Sequence, residues 1–154
     1  MMKRSVCLLL LVSLVMVGGC ASRSHRLGAS YCSEEFPAEA VSAVAEHLAD
    51  VMVANYPPGY TSFFLGQTEN NKDELAPVLE AALRSRGFAL AAKKSGQALT
   101  INYVMDRAGD EVWYSRLSIS DGLSLTRTWR WTGDSLVMEA ATRTGRTEKT
   151  DGQN

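Results

Sequence analysis

The chain has 154 residues, with 16 Lys and Arg against 17 Asp and Glu for a formal net charge of -1, and 45% of its residues are hydrophobic. A chain of this length holds one domain with a real core and not two. Its near balance of charge speaks against a general nucleic-acid surface, which needs a basic face.

Lys3 and Arg4 open the chain with positive charge, an apolar run follows from Val6 to Val17, and Val17-Gly18-Gly19-Cys20 closes it. Charge, an apolar stretch and small residues at a cut site are the layout of an export signal. The run is shorter than the roughly 20 residues that a membrane-spanning helix needs, so residues 1–19 read as a cleaved leader. Small residues directly before a cysteine resemble the lipobox of bacterial lipoproteins, with Val17 where Leu is usual. Cleavage there makes Cys20 the lipidated first residue of the mature chain. It also removes Lys3 and Arg4, leaving 14 basic residues against 17 acidic ones. Each buried methylene contributes about 0.8 kcal/mol, and a single acyl chain anchors only marginally. The lipoprotein resemblance implies an acyl and diacylglycerol anchor of three chains, from which release is negligible. Ala21 and Ser22 follow, without the Asp that retains many such lipoproteins at the inner membrane. This points to the periplasmic face of the outer membrane.

Residues 20–36 read as the lipidated cysteine and a flexible tether, small and polar with no periodicity. Cys7 leaves with the leader and Cys20 takes the lipid, so Cys32 is the remaining thiol. Two readings stand for a lone cysteine in an oxidising compartment. It is a buried bystander, or it forms an intermolecular disulfide near the tether.

The folded domain is expected over residues 37–141. Pro37 suits a first helical turn and Glu39 the positive end of the dipole. Val41, Val44, Ala45, Leu48, Val51 and Met52 recur at spacings of three and four, so a helix is predicted from Pro37 to about Asn55. Pro57-Pro58 stops it and Pro58-Gly59 turns the chain. Thr61 to Gln67 reads as a short strand. A second helix is predicted over about Asp73 to Arg86, with Asn71 or Asp73 able to cap it and Leu75, Val78, Leu79, Ala82 and Leu83 as its stripe. Gly87 stands where a left-handed residue is wanted, and Phe88 can fold back as the apolar contact beyond it.

Everything after that is strand-like. Phe88–Lys93 leads to a turn at Ser95-Gly96. Leu99, Ile101, Tyr103 and Met105 then alternate with polar residues. Glu111–Ser120 follows the turn at Ala108–Asp110. Asp121-Gly122 is a hairpin signal. Leu123, Leu125, Trp129 and Trp131 alternate with Ser124, Thr126, Thr128 and Arg130, and a short run Leu136-Val137-Met138 comes after Gly133-Asp134. Residues 142–154 read as a disordered polar tail. The expected fold is α+β: two helices packed on one face of a mostly antiparallel sheet, in the order α-β-α-β-β-β-β. The other sheet face is left to solvent or a partner.

No constellation for catalysis stands out. There is no nucleophile elbow, no Cys-x-x-Cys, no His-Glu-x-x-His and no glycine-rich phosphate loop. Of two histidines, His25 falls in the tether and His47 is a lone ring at the edge of the first helix's stripe. Asp50 follows His47 by one turn, but no third ligand accompanies them for a metal. No enzyme, cofactor, metal or small-molecule substrate is expected. Trp113, Tyr114, Trp129 and Trp131 alternate along strands, a pattern that usually marks core, yet tryptophan is also a common interface anchor. If such a ring lies on the uncovered sheet face beside Arg127 or Arg130, it becomes a docking candidate. The docking set is therefore Trp113, Arg127, Trp129, Arg130 and Trp131.

The order of several motifs resembles the TrbH family of conjugal transfer lipoproteins. They are Tyr56-Pro57-Pro58 closing an Ala/Val-rich helix, Leu83-Arg84-Ser85-Arg86-Gly87-Phe88-Ala89, Tyr103-Val104-Met105-Asp106 and Leu123-Ser124-Leu125-Thr126-Arg127. The resemblance covers about residues 37–131. It implies a lipid-anchored structural or assembly component of the conjugative type IV secretion (mating-pair formation) apparatus. Such a component would contact other secretion-apparatus proteins and no DNA. The competing class is an envelope lipoprotein that regulates a periplasmic enzyme, or an exclusion lipoprotein that blocks a second transfer.

Overall fold

The computed structural model describes residues 29–68 and 72–146. The expected leader 1–19, the lipidation site Cys20, His25 and the segment from 147 onward lie outside them. The elements in chain order are β1 (Tyr31–Cys32), α1 (Ala38–Asn55), β2 (Ser62–Leu65), α2 (Leu75–Ser85), β3 (Ala89–Leu90), β4 (Leu99–Gly109), β5 (Val112–Ile119), β6 (Leu123–Trp131) and β7 (Leu136–Arg146). The fold is α+β as expected, but the order begins with a strand. The sheet runs β3-β2-β4-β5-β6-β7, with β1 also on β4. It is mixed rather than purely antiparallel. The long strands β4 to β7 form an antiparallel meander, while β1–β4, β2–β3 and β2–β4 pair in parallel. The parallel pairs follow from connectivity, because β2 returns to the sheet through the crossover helix α2.

Helix α1 buries Ala40, Val41, Val44, Ala45, Leu48, Ala49 and Met52. Asn55 Nδ2 donates back to the Val51 carbonyl at 2.8 Å, and Tyr56 leaves in extended backbone before the prolines. Tyr56 then ties the helix end to the β5–β6 hairpin, its hydroxyl donating to the Asp121 carboxylate at 3.0 Å.

Asp73 starts α2 with one carboxylate oxygen. Its Oδ1 accepts from the amides of Leu75 at 2.9 Å and Ala76 at 3.1 Å, two donors that the first turn cannot otherwise satisfy. Its Oδ2 accepts from the buried Tyr103 hydroxyl at 2.7 Å, so the same residue fixes the helix to the middle of β4. At the far end Gly87 has φ +88°, the Phe88 amide returns to Leu83 O at 3.2 Å, and the Gly87 amide to Arg84 O at 3.0 Å. This is the left-handed stop that the sequence predicts. Phe88 is buried in consequence. Arg86 clamps the two helices, donating to Glu46 at 2.6 Å and Asp50 at 2.7 Å.

Both helices lie on the sheet face formed by Ile101, Tyr103, Met105, Trp113, Leu117, Ile119, Leu123, Leu125 and Trp129, all buried. The opposite face carries Asn102, Val104, Asp106, Tyr114, Arg116, Ser118, Thr126, Thr128 and Arg130, and among the described residues no helix lies over it.

Two boundaries need correction. The tether was expected to reach residue 36, yet Tyr31 and Cys32 pair with Val104 and Met105, Ser30 is fully buried, and Phe36 joins the core against Trp113 at 5.1 Å. These apolar residues belong to the domain because β2 covers only the first part of β4's edge and β1 takes the rest. The polar tail was expected from residue 142, yet β7 pairs with β6 as far as Leu123↔Arg146. Its Thr-Arg alternation is polar in composition but extended in preference, which suits a strand at a sheet margin.

Candidate functional site

The alternation of β6 places Arg127 in an unusual position. Leu123, Leu125 and Trp129 point toward the helices, and the residue between the last two shares their parity. Arg127 is accordingly buried, with 9% of its surface exposed, opposite Ser115 on β5 and paired with Ala141 on β7. Its Nη1 donates to the Thr126 carbonyl at 3.1 Å, while its Nε has no hydrogen-bond partner among the described residues. Among the described residues no carboxylate forms an ion pair with it. A cation held this way is costly, since buried charges are normally paired.

The neighbouring groups repeat the pattern. His47, on the sheet-facing edge of α1, stands edge-on to the Trp129 ring with centroids 5.1 Å apart. Its Nε2 is buried and, among the described residues, without a partner. Burial and the Arg127 charge lower the imidazole pKa below its ordinary value, while Asp50 pulls the other way. Burial alone lowers that of Arg127. Trp129 is fixed by its Nε1 donating to Ser115 Oγ at 2.9 Å. Beside this cluster runs β7, where Met138 pairs with Trp129 and is 46% exposed, next to Val137 at 49%. Among the described residues no further strand pairs with the outer edge of β7.

The five residues of the expected docking set do not share one surface. Trp113 is buried under Phe36, with the Arg107 guanidinium 5.8 Å from its ring. Trp129 and Arg127 are buried on the helical face rather than on the uncovered one, and Trp131 is half-buried against the core. Arg130 alone is exposed on the open face, where it pairs with Glu139 at 2.6 Å. The odd-numbered parity of 123, 125, 129 and 131 was the signal that could have assigned Arg127 to the helical side. His47 carried no such signal, because a ring at a stripe's edge is ordinary.

Cys32 is buried, with 4% of its surface exposed, and burial together with the nearby Asp73 charge pushes its thiol up to about 12. Among the described residues no group of three His, Cys, Asp or Glu could hold a metal ion. None of the described helices is long and apolar enough to cross a membrane.

Residues 24–145 match the family described as conjugal transfer protein TrbH. The chain belongs to the TrbH family. The match runs past Trp131, where the resemblance of separate motifs stops, and covers β7 as far as residue 145. No curated protein and no solved structure matches the chain.

Proposed function

We propose that this conjugal transfer protein is a lipid-anchored structural component of the mating-pair formation apparatus, held by Cys20 at the periplasmic face of the outer membrane. The observation that carries the reading is the TrbH match over residues 24–145, which makes the chain a transfer protein. Two further observations support the finer statement. The leader ends in Val17-Gly18-Gly19-Cys20, the pattern of a lipidated cysteine. The buried Tyr103 hydroxyl and Trp129 ring nitrogen are tied to Asp73 at the start of α2 and to Ser115 on β5, bonds that hold the domain together. Such a module acts by presenting surfaces to other transfer proteins, and a three-chain anchor fixes where those surfaces stand.

The test has two arms. Mass spectrometry of the protein purified from membranes should find an acylated N-terminus at Cys20, and an intact unacylated leader removes the anchor. Deleting the gene from a donor should abolish plasmid transfer and be restored by the wild-type copy. Normal transfer from the deletion strain removes the structural role. Normal transfer with loss of recipient immunity would instead assign an exclusion role.

A further inference from the structure

We propose that Arg127 and His47 form a receptor for a carboxylate that a partner protein brings alongside β7. Arg127 is nine-tenths buried, yet its guanidinium meets no carboxylate among the described residues, and its Nε is unpartnered. The imidazole Nε2 of His47 is buried and, among the described residues, unpartnered as well. The two belong to one cluster: His47 packs on Trp129, and Arg127 lowers the His47 pKa. A folded domain gains nothing from leaving both groups unsatisfied, since an unmatched buried donor is destabilising and an unmatched buried charge more so. Asp50, one turn beyond His47, is taken by Arg86 at 2.7 Å and does not neutralise Arg127. The missing component is an anion. A carboxylate fits, because the Nε side of a guanidinium presents a planar pair of donors that a carboxylate accepts with both oxygens.

The way in is at β7. It is a long strand with an unpaired outer edge among the described residues, and it borders Arg127 through Ala141 and Trp129 through Met138. Exposed backbone of this kind accepts an added strand. Neighbouring strands lie about 4.8 Å apart, so a strand added to β7 runs about 10 Å from the Arg127 backbone. The extended arginine and an Asp or Glu on the incoming strand span that distance together. Met138, exposed beside Trp129, gives the same segment an apolar contact. The occupant is therefore an extended, acidic segment of another transfer protein, and this part of the proposal rests on the conjugative reading above.

The test compares R127M and R127E with wild type and with the gene deletion. R127M keeps the volume and removes the charge. The purified full chain carrying it should melt no lower than wild type, while transfer falls at least tenfold, and R127E should fall at least as far. Wild-type transfer by R127M, where the deletion fails to transfer, overturns the receptor and leaves the structural role standing. Loss of transfer together with a lower melting temperature also overturns it, because Arg127 is then a packing residue. Independently of transfer, a photo-crosslinking residue placed at Met138 should join the chain to another protein within a few residues of an Asp or Glu, and R127M should remove that product. Crosslinking that R127M leaves unchanged, or that joins two copies of this chain, overturns the proposal.

Discussion

Asp73 links α2 to β4 through one carboxylate, and its removal should expose how the two depend on each other. In Asp73→Ala the amides of Leu75 and Ala76 lose the acceptor that they contact at 2.9 and 3.1 Å. Loss of such a cap costs about 1 kcal/mol. The same substitution strands the Tyr103 hydroxyl, which is 2% exposed and donates to Asp73 at 2.7 Å. A buried hydroxyl without a partner costs a further 1–3 kcal/mol or so. D73A should therefore lose about 2–4 kcal/mol, or roughly 4 °C of melting temperature per kcal/mol in a domain of this size. Tyr103→Phe removes the hydroxyl and leaves the cap, so it should cost about 1 kcal/mol. The decisive measurement is the double variant. With no hydroxyl left to satisfy, D73A/Y103F should be more stable than D73A alone. Urea unfolding followed by tryptophan fluorescence gives all four corners of the cycle. If the two losses simply add, Asp73 is not the shared anchor described here.

Two further outcomes follow from buried titratable groups. Cys32, with its thiol pushed up to about 12, should react with iodoacetamide at pH 8 at least a hundredfold more slowly in the native chain than in urea. Rapid native labelling, or a Cys32-dependent dimer on a non-reducing gel, would contradict its burial. His47 titrates below its ordinary pKa in the folded state because of burial and Arg127. The unfolded chain then binds more protons just below pH 6.5, so the stability that neutral His47 supports is present above about 6.5 and lost as pH falls. The urea midpoint should drop between pH 7.5 and 5.5, and His47→Gln should flatten that drop. An unchanged slope in the variant would place the titration elsewhere.

Local chemistry explains which elements could be read in advance. The stripe from Val41 to Met52 faces one side of any α-helix whatever it packs on, and Pro57-Pro58 ends that helix without help. Gly87 and Phe88 form the α2 stop from two adjacent residues, and Asp121-Gly122 makes the β5–β6 hairpin in the same way. The meander β4–β5–β6 was legible because its strands are half-buried, so apolar residues alternate with polar ones. β7 was legible only at Leu136–Met138, where apolar residues persist, because nothing in a polar margin strand marks its far end.

The sequence by itself determined the secondary elements that are closed by contacts a few residues apart, and the order of motifs that marks the TrbH family. The tertiary structure alone decided what lies far apart along the chain. Tyr31 and Cys32 pair with residues of β4 more than seventy positions away, and no periodicity in so short a strand announces it. It also decided that Trp113 and Trp129 turn toward the helices, because only docking of α1 chooses which sheet face is dry. Above all it decided the company of Arg127. Parity can put an arginine on the inner face, but whether an acid waits there depends on three-dimensional neighbours, and here none of the described residues supplies one.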